Sequence, residues 1–196
     1  QTAVVSPRAP AEASGLTLEG PDEAHTYHLA WGEVAGATEY IIEISEEQTF
    51  SSARVQTLSE RSFDLVRHEP GQLFFRVCGT NAGGDGPWSN IEHLVIEPQA
   101  PAWVEATPSA GRAQVALVWG AVGGRVEYVV QKSTAEGYVE VYRGEDTHID
   151  INLGEDKHVP PLRVRAEASG VTSDWQYSDL AGEQVSLSAP TLDPPE

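Results

Sequence analysis

Thirty carboxylates in a chain of 196 residues make acid–base chemistry the first thing to test. Glu46-Glu47 and Glu155-Asp156 are the adjacent pairs. A glycosidase needs two carboxylates about 5–10 Å apart across a cleft that holds a sugar. Neighbours on one short loop face solvent instead, so these pairs read as surface. Six histidines raise the question of a metal. His25 and His28 have a ligand spacing for a helix, but on a strand residues three apart point to opposite faces. His68, His93, His148 and His158 are scattered. Asp22-Glu23 and Asp85 lie in the oxygen-rich kind of stretch that calcium uses, without the Asp-x-Asp-x-Asp run of a dedicated loop. Cys78 has Arg76 two residues back, which would favour a thiolate, but no histidine near it in sequence to act as base. It reads as a partly exposed, unreactive thiol. Gly83-Gly84-Asp85-Gly86 leads into a strand, whereas phosphate cradles use a helix N-terminus. No Gly-x-Ser-x-Gly elbow occurs. No catalytic residue, metal or cofactor is expected.

The charge balance narrows the partners. Lys and Arg number 12 against 30 Asp and Glu, a net charge of −18. A phosphate backbone needs a basic stripe, so nucleic acid is excluded. An anionic lipid surface is equally unsuited. No apolar run approaches the ~18 residues of a spanning helix, so membrane insertion is not expected. The apolar share of 40% is too high for a disordered acidic tail. One cysteine permits no intrachain disulfide. Met is absent and both ends are Pro-rich, which reads as a piece of a longer polypeptide.

The elements that must position any site are strands. Tyr40, Ile42 and Ile44 alternate with Ile41 and Glu43. Phe75, Val77 and Gly79 alternate with Phe74, Arg76 and Cys78. Such alternation marks half-buried strands with one face on a core. Gly- and Pro-rich clusters such as Glu19-Gly20-Pro21-Asp22 and Ala110-Gly111 separate them as turns. The pattern occurs twice. Leu29-Ala30-Trp31-Gly32-Glu33-Val34-Ala35-Gly36-Ala37-Thr38-Glu39-Tyr40 stands against Leu117-Val118-Trp119-Gly120-Ala121-Val122-Gly123-Gly124-Arg125-Val126-Glu127-Tyr128, at an offset of 119 − 31 = 88 residues. Arg76-Val77 matches Arg165-Ala166, and Trp88 matches Trp175. A repeat of this length suits a whole β-sandwich. The boundaries expected are a Pro-containing linker at 1–8, domains at 9–97 and 98–189, and a Pro-rich tail at 190–196. The expected core is Trp31, Tyr40, Phe75 and Val77 in the first copy, and Trp119, Tyr128 and Val164 in the second.

Both copies resemble fibronectin type III domains. The first carries the resemblance in Pro10, Leu16, Leu29-Ala30-Trp31, Gly36 to Glu43, Phe75-Arg76-Val77, and Asn81 to Ser89. The second carries it in Pro101, Trp119, Gly124, Tyr128-Val129-Val130, Val164-Arg165-Ala166 and Trp175. The resemblance implies an all-β chain of two seven-stranded antiparallel sandwiches in tandem, with strands A-B-E packed on C-C′-F-G and the Trp of strand B in the core. Leu73 and Leu162 stand where the family often has a corner tyrosine. The phrase from Gly36 to Ser51 is similar to bacterial secreted and surface modules. Trp88-Ser89 and Trp175 are similar to the Trp-Ser box of cytokine-receptor modules, whose disulfide-forming cysteines this chain lacks. Arg143-Gly144-Glu145 differs by a methylene from the Arg-Gly-Asp adhesion tripeptide and falls between C′ and E, away from the F–G loop.

The remaining signal is an outward face. In the first copy it presents Ile41, Phe74 and Cys78 beside Glu43 and Arg76, an apolar centre with a charged rim. In the second, the matching face holds Val129, Gln131, Arg163, Arg165 and Glu167, with Arg163 and Glu167 at the positions of Phe74 and Cys78. The first domain is therefore expected to carry the main contact and the second to set distance. The function expected is a non-catalytic extracellular or cell-surface spacer and protein-interaction module within a larger secreted, surface or assembled structure. The alternatives are an accessory module of an extracellular polysaccharide-degrading enzyme and a virion, tail or filament component. A protein partner or self-assembly leads. Carbohydrate has weaker support, because its candidate aromatics Trp103, Tyr138 and Tyr142 share no spacing.

Overall fold

The computed structural model describes residues 7–108, 113–153 and 158–179. The expected tail at 190–196, the Ala110-Gly111 turn and the Glu155-Asp156 pair lie outside the described residues. The chain divides into two compact units, with the boundary between Ile96 and Glu97.

The first unit holds β1 (Thr17–Glu19), β2 (Thr26–Ala30), β3 (Glu39–Ser45), β4 (Arg54–Leu58), β5 (Ser62–Val66), β6 (Gly71–Asn81), β7 (Gly84–Asp85) and β8 (Glu92–Ile96). One sheet has the order β1-β2-β5. The other runs β4-β3-β6, with β7 and β8 both paired to β6. The second unit holds β9 (Val104–Pro108), β10 (Gln114–Trp119), β11 (Glu127–Thr134), β12 (Gly137–Gly144), β13 (His148–Asn152), β14 (Leu162–Ala168), β15 (Val171–Thr172) and β16 (Gln176–Tyr177). Its sheets are β9-β10-β13 and β12-β11-β14, with β15 and β16 both on β14. Every pairing is antiparallel. Among the described residues no helix is long and apolar enough to cross a membrane.

The chain is thus all-β, in two sandwiches, with one refinement of the seven-strand plan: the last strand of each is split in two. In the first unit the break falls where Pro87 offers no N–H. Ser89 then completes the rung by itself. Its N–H donates to the Val77 carbonyl at 2.8 Å, and its hydroxyl accepts from the Val77 N–H at 3.1 Å. In the second unit Ser173 does the same to Ala166, at 2.9 Å and 3.0 Å.

Each unit has its own core, built by the period-two faces of facing strands. Trp31, Tyr40, Phe75 and Val77 lie in the first, and Trp119, Tyr128 and Val164 in the second. The two Trp–Tyr pairs have the same geometry. Trp31 meets Tyr40 at 5.6 Å and 64°, and Trp119 meets Tyr128 at 5.6 Å and 65°. These are edge-to-face contacts that bring the ring's positive edge to its neighbour's negative face. The opening segment is fastened to the end of β6. Asn81 Nδ2 donates to the carbonyls of Arg8 at 2.8 Å and Gly36 at 2.7 Å. Gly83 has to be glycine, since a Cβ there would run into the Pro7 carbonyl.

Candidate contact faces of the two sandwiches

Strand pairing puts the five candidate contact residues on one face. Ile41 pairs with Cys78, Glu43 with Arg76, and Phe74 with His93. Phe75 and Val77 point into the core, so Phe74, Arg76 and Cys78 point away from it, as their alternation implies. The expectation of an open apolar centre is corrected. Cys78 is 0% exposed and Phe74 is 9% exposed, while Ile41 and Glu43 are half-buried. Other side chains lie across the face. His93 stacks flat on Phe74, with ring centroids 4.3 Å apart and 4° between planes. The Arg76 guanidinium lies between the rings of Phe50, at 4.2 Å, and Trp88, at 4.4 Å. Glu43 holds that guanidinium from the side, with Arg76 Nε donating to Oε2 at 2.7 Å. A cation between two ring faces is attracted by both quadrupoles, by about 0.5–2 kcal/mol each depending on exposure. Burial, then the nearby Asp85 and Glu43 charges, push the Cys78 thiol up to about 11.

The second unit builds the same device with different parts. Arg163 lies between Tyr138 at 3.8 Å and Trp175 at 4.1 Å, and Arg165 also reaches Trp175 at 4.6 Å. Gln131 takes the place of Glu43, accepting from Arg163 Nε at 3.0 Å. Arg143 and Arg165 both reach Glu167. Burial pushes the Glu167 carboxyl up, but hydrogen bonds and charge from these two arginines outweigh it and hold the group below its ordinary value. Val129, on this outward face, is 0% exposed.

The pairing also corrects how the two faces correspond. Ile42 and Val130 differ by 130 − 42 = 88 residues, but their partners Val77 and Val164 differ by 164 − 77 = 87. Arg76 therefore corresponds to Arg163, and Cys78 to Arg165. The Arg76-Val77 and Arg165-Ala166 match is one rung pair out of place. Trp88 and Trp175, also 87 apart, sit over corresponding arginines.

No family model matches this sequence, and no curated protein matches it. Solved structures do. A two-domain fibronectin type III segment of chicken tenascin is similar with a TM-score of 0.53 at 15% identity, over 84% of this chain and 96% of that one. This chain has the fold of two fibronectin type III domains in tandem. The FN1-FN3 domains of chicken CNTN1 are also similar, at a TM-score of 0.42 and 14% identity, over 87% of this chain and 67% of that one.

In these fibronectin type III-like domains, sequence reasoning missed the residues that cover the sheets. Phe50 comes from the loop after β3, Trp88 from the break in the last strand, and Tyr138 from the edge strand β12. Trp88 and Trp175 at a common offset were the available signal. A second grouping missed by sequence stands on the opposite sheet of the first domain. His28 pairs across β1, β2 and β5 with Glu19 and Asp64. Its Nδ1 lies 2.8 Å from Asp64 Oδ1 and its Nε2 lies 3.6 Å from Asp22 Oδ2. Asp22 is itself fixed, because its Oδ1 accepts from the N–H groups of Ala24 and Thr26. Among the described residues no group of three His, Cys, Asp or Glu is arranged to hold a metal ion.

The Asp64 hydrogen bond, aided by the charges of Asp64 and Asp22, raises the His28 pKa above its ordinary value. The bond is strongest with charged imidazole. A raised folded pKa gives stability that is complete below the unfolded value of about 6.5 and is lost as pH rises through the folded value. The midpoint temperature of the first domain should therefore fall between pH 6 and pH 8, and His28→Gln should flatten that dependence. An equally steep fall in His28→Gln, followed by calorimetry, would remove His28 from the account.

Proposed function

We propose that this chain is a non-catalytic module of a secreted or surface-exposed protein, setting distance and offering a sheet face to a protein partner. The carrying observation is the repeated closed face. Each domain spends its arginines and aromatic rings on covering its own C-C′-F-G sheet, in Phe50–Arg76–Trp88 and in Tyr138–Arg163–Trp175. Rigid, covered sheets suit a spacer, and a net charge of −18 disfavours close approach of identical copies.

The contact is placed on the first domain, on the face that carries Ile41, Glu43 and Arg76. Its accessible apolar groups are Val55, 56% exposed on β4, and Val95, 46% exposed on β8. Val55 pairs with Glu43 and Val95 with Gln72, so both lie on the outward side of the sheet. Phe74 and Cys78 support this face from beneath. The second domain has a differently charged face and mainly sets distance.

Two measurements test this reading. The purified chain should leave a panel of glycan, ester and peptide substrates unturned, and hydrolysis above the buffer rate would overturn the non-catalytic part. In sedimentation the chain should be monomeric at about 0.1 M salt, where charges still act over about 10 Å. A stable dimer under those conditions, lost with Val95→Glu, would put a second copy in place of a foreign partner.

A further inference from the structure

The first domain has an open cleft of about 400 Å³ where the two sheets part, near the start of β4 and the end of β5. Its floor is apolar, formed by Ile44, Leu65 and Leu73. Its mouth carries Arg54 and Arg67, two of the 12 basic residues in the whole chain. Arg54 pairs with Ile44 across β3 and β4. Paired residues share a face, and Ile44 lies in the core, so the Arg54 guanidinium is aimed to the inner side of an edge strand. Among the described residues it has no ion pair or side-chain hydrogen bond.

Arg67 is positioned by neutral acceptors. Its Nε donates to the Glu69 carbonyl at 3.0 Å and its Nη2 to the Pro70 carbonyl at 3.4 Å. These fix the side chain and leave its charge in place. Glu46 and Glu47 also line the cleft, and the Glu47 carboxylate accepts from the hydroxyls of Thr49 and Ser51 on its own turn. Ser45, 3% exposed, adds a polar wall. An inward charge at a sheet edge also discourages strand addition, but edge protection alone calls for neither a second arginine nor an apolar floor.

We propose that this cleft recognises a carboxylate joined to an apolar body, with Arg54 and Arg67 on the carboxylate and Ile44, Leu65 and Leu73 under the body. The volume is at the small end of the ~300–1,000 Å³ range of ligand pockets. It suits one side chain with its acid group, as offered by a free organic acid or by the C-terminal residue of a peptide. Guanidinium pairs with carboxylate through charge-assisted, often bidentate hydrogen bonds that an amide cannot reproduce.

The test is a nitrogen-15 chemical-shift titration of the full chain with four probes. These are 4-phenylbutyrate, its amide, acetyl-Ala-Ala-Leu with a free carboxylate, and the same peptide amidated. At least one acid should move the Ser45, Arg54 and Leu65 resonances saturably, and its amide should bind at least about tenfold more weakly, a step of about 1.4 kcal/mol. Arg54→Gln should weaken the acid to the level of its amide and leave the remaining spectrum unchanged. The tighter of the two acids identifies the source. Equal effects of acid and amide, or no saturable shift in the cleft up to about 10 mM, weaker than specific recognition requires, overturn the proposal.

Discussion

Trp31→Ala or Trp119→Ala will destabilise the domain that holds it by about 3–5 kcal/mol, the range for removing a large buried ring. Trp31 is 6% exposed and Trp119 is 1% exposed, and each lies edge-on to a buried tyrosine. Alanine leaves a void that a sandwich fixed by two hydrogen-bonded sheets cannot close. A domain of this size has about 5–15 kcal/mol of stability in all, so the loss is a large share of the total. The effect belongs to shape more than to hydrogen bonding, because Trp31 Nε1 and Trp119 Nε1 are both buried without an acceptor. Trp→Phe at either site should therefore cost clearly less than Trp→Ala, since it also removes an unpaired buried donor. Urea unfolding followed by circular dichroism separates these outcomes. A cost below about 1 kcal/mol for Trp→Ala would show that the indole is not a packing centre.

Cys78 will not react with thiol reagents while the first domain is folded. With the pKa pushed up to about 11, about one thiol in a thousand is ionised at pH 8, against about one in four for an ordinary cysteine. The sulfur also has no exposed surface, so reagent must wait for the sheet to open. The labelling rate in buffer should lie at least about a thousandfold below the rate in denaturant, where one thiol per chain reacts. Rapid labelling in buffer would mean that the covering face opens readily. The raised pKa also carries a pH dependence. Its stabilising contribution is complete below the unfolded value of about 8.5 and is lost as pH rises toward about 11.

Much of this fold was legible because strand alternation and the Trp31 and Trp119 segments are local features. Leu29 to Tyr40 and Leu117 to Tyr128 align without a gap, and they form corresponding strands. Alternation also placed Phe74 and Cys78 on the right side of the sheet. It could not show what lies over them, because side of sheet is a property of the strand, whereas exposure depends on Phe50, Trp88 and His93 from distant parts of the chain. The mismatch between Arg76 and Arg165 has a related cause. Arg163 and Arg165 are both followed by a small apolar residue, so the sequence fits either, and a two-residue slip preserves the inward and outward faces. Only cross-strand partners decide, and they join Arg76 to Glu43 and Arg163 to Gln131. The Arg54 and Arg67 cleft was illegible for the same reason, since its lining comes from β3, β4, β5 and β6.

The divided last strand has a consequence for a polypeptide that carries two such sandwiches side by side. A continuous outer strand invites any unpaired segment emerging beside it, and a half-made neighbouring repeat supplies one. Here the outer border is interrupted in both copies. The longest uninterrupted stretch is five residues in the first copy, β8, and two in the second, in β15 and β16. At each interruption a serine closes the inner rung, so the domain is completed without extending its border. At that border a trespassing strand finds only a short foothold, which leaves the eight-residue edge strand β12 as the longer opening of the second copy.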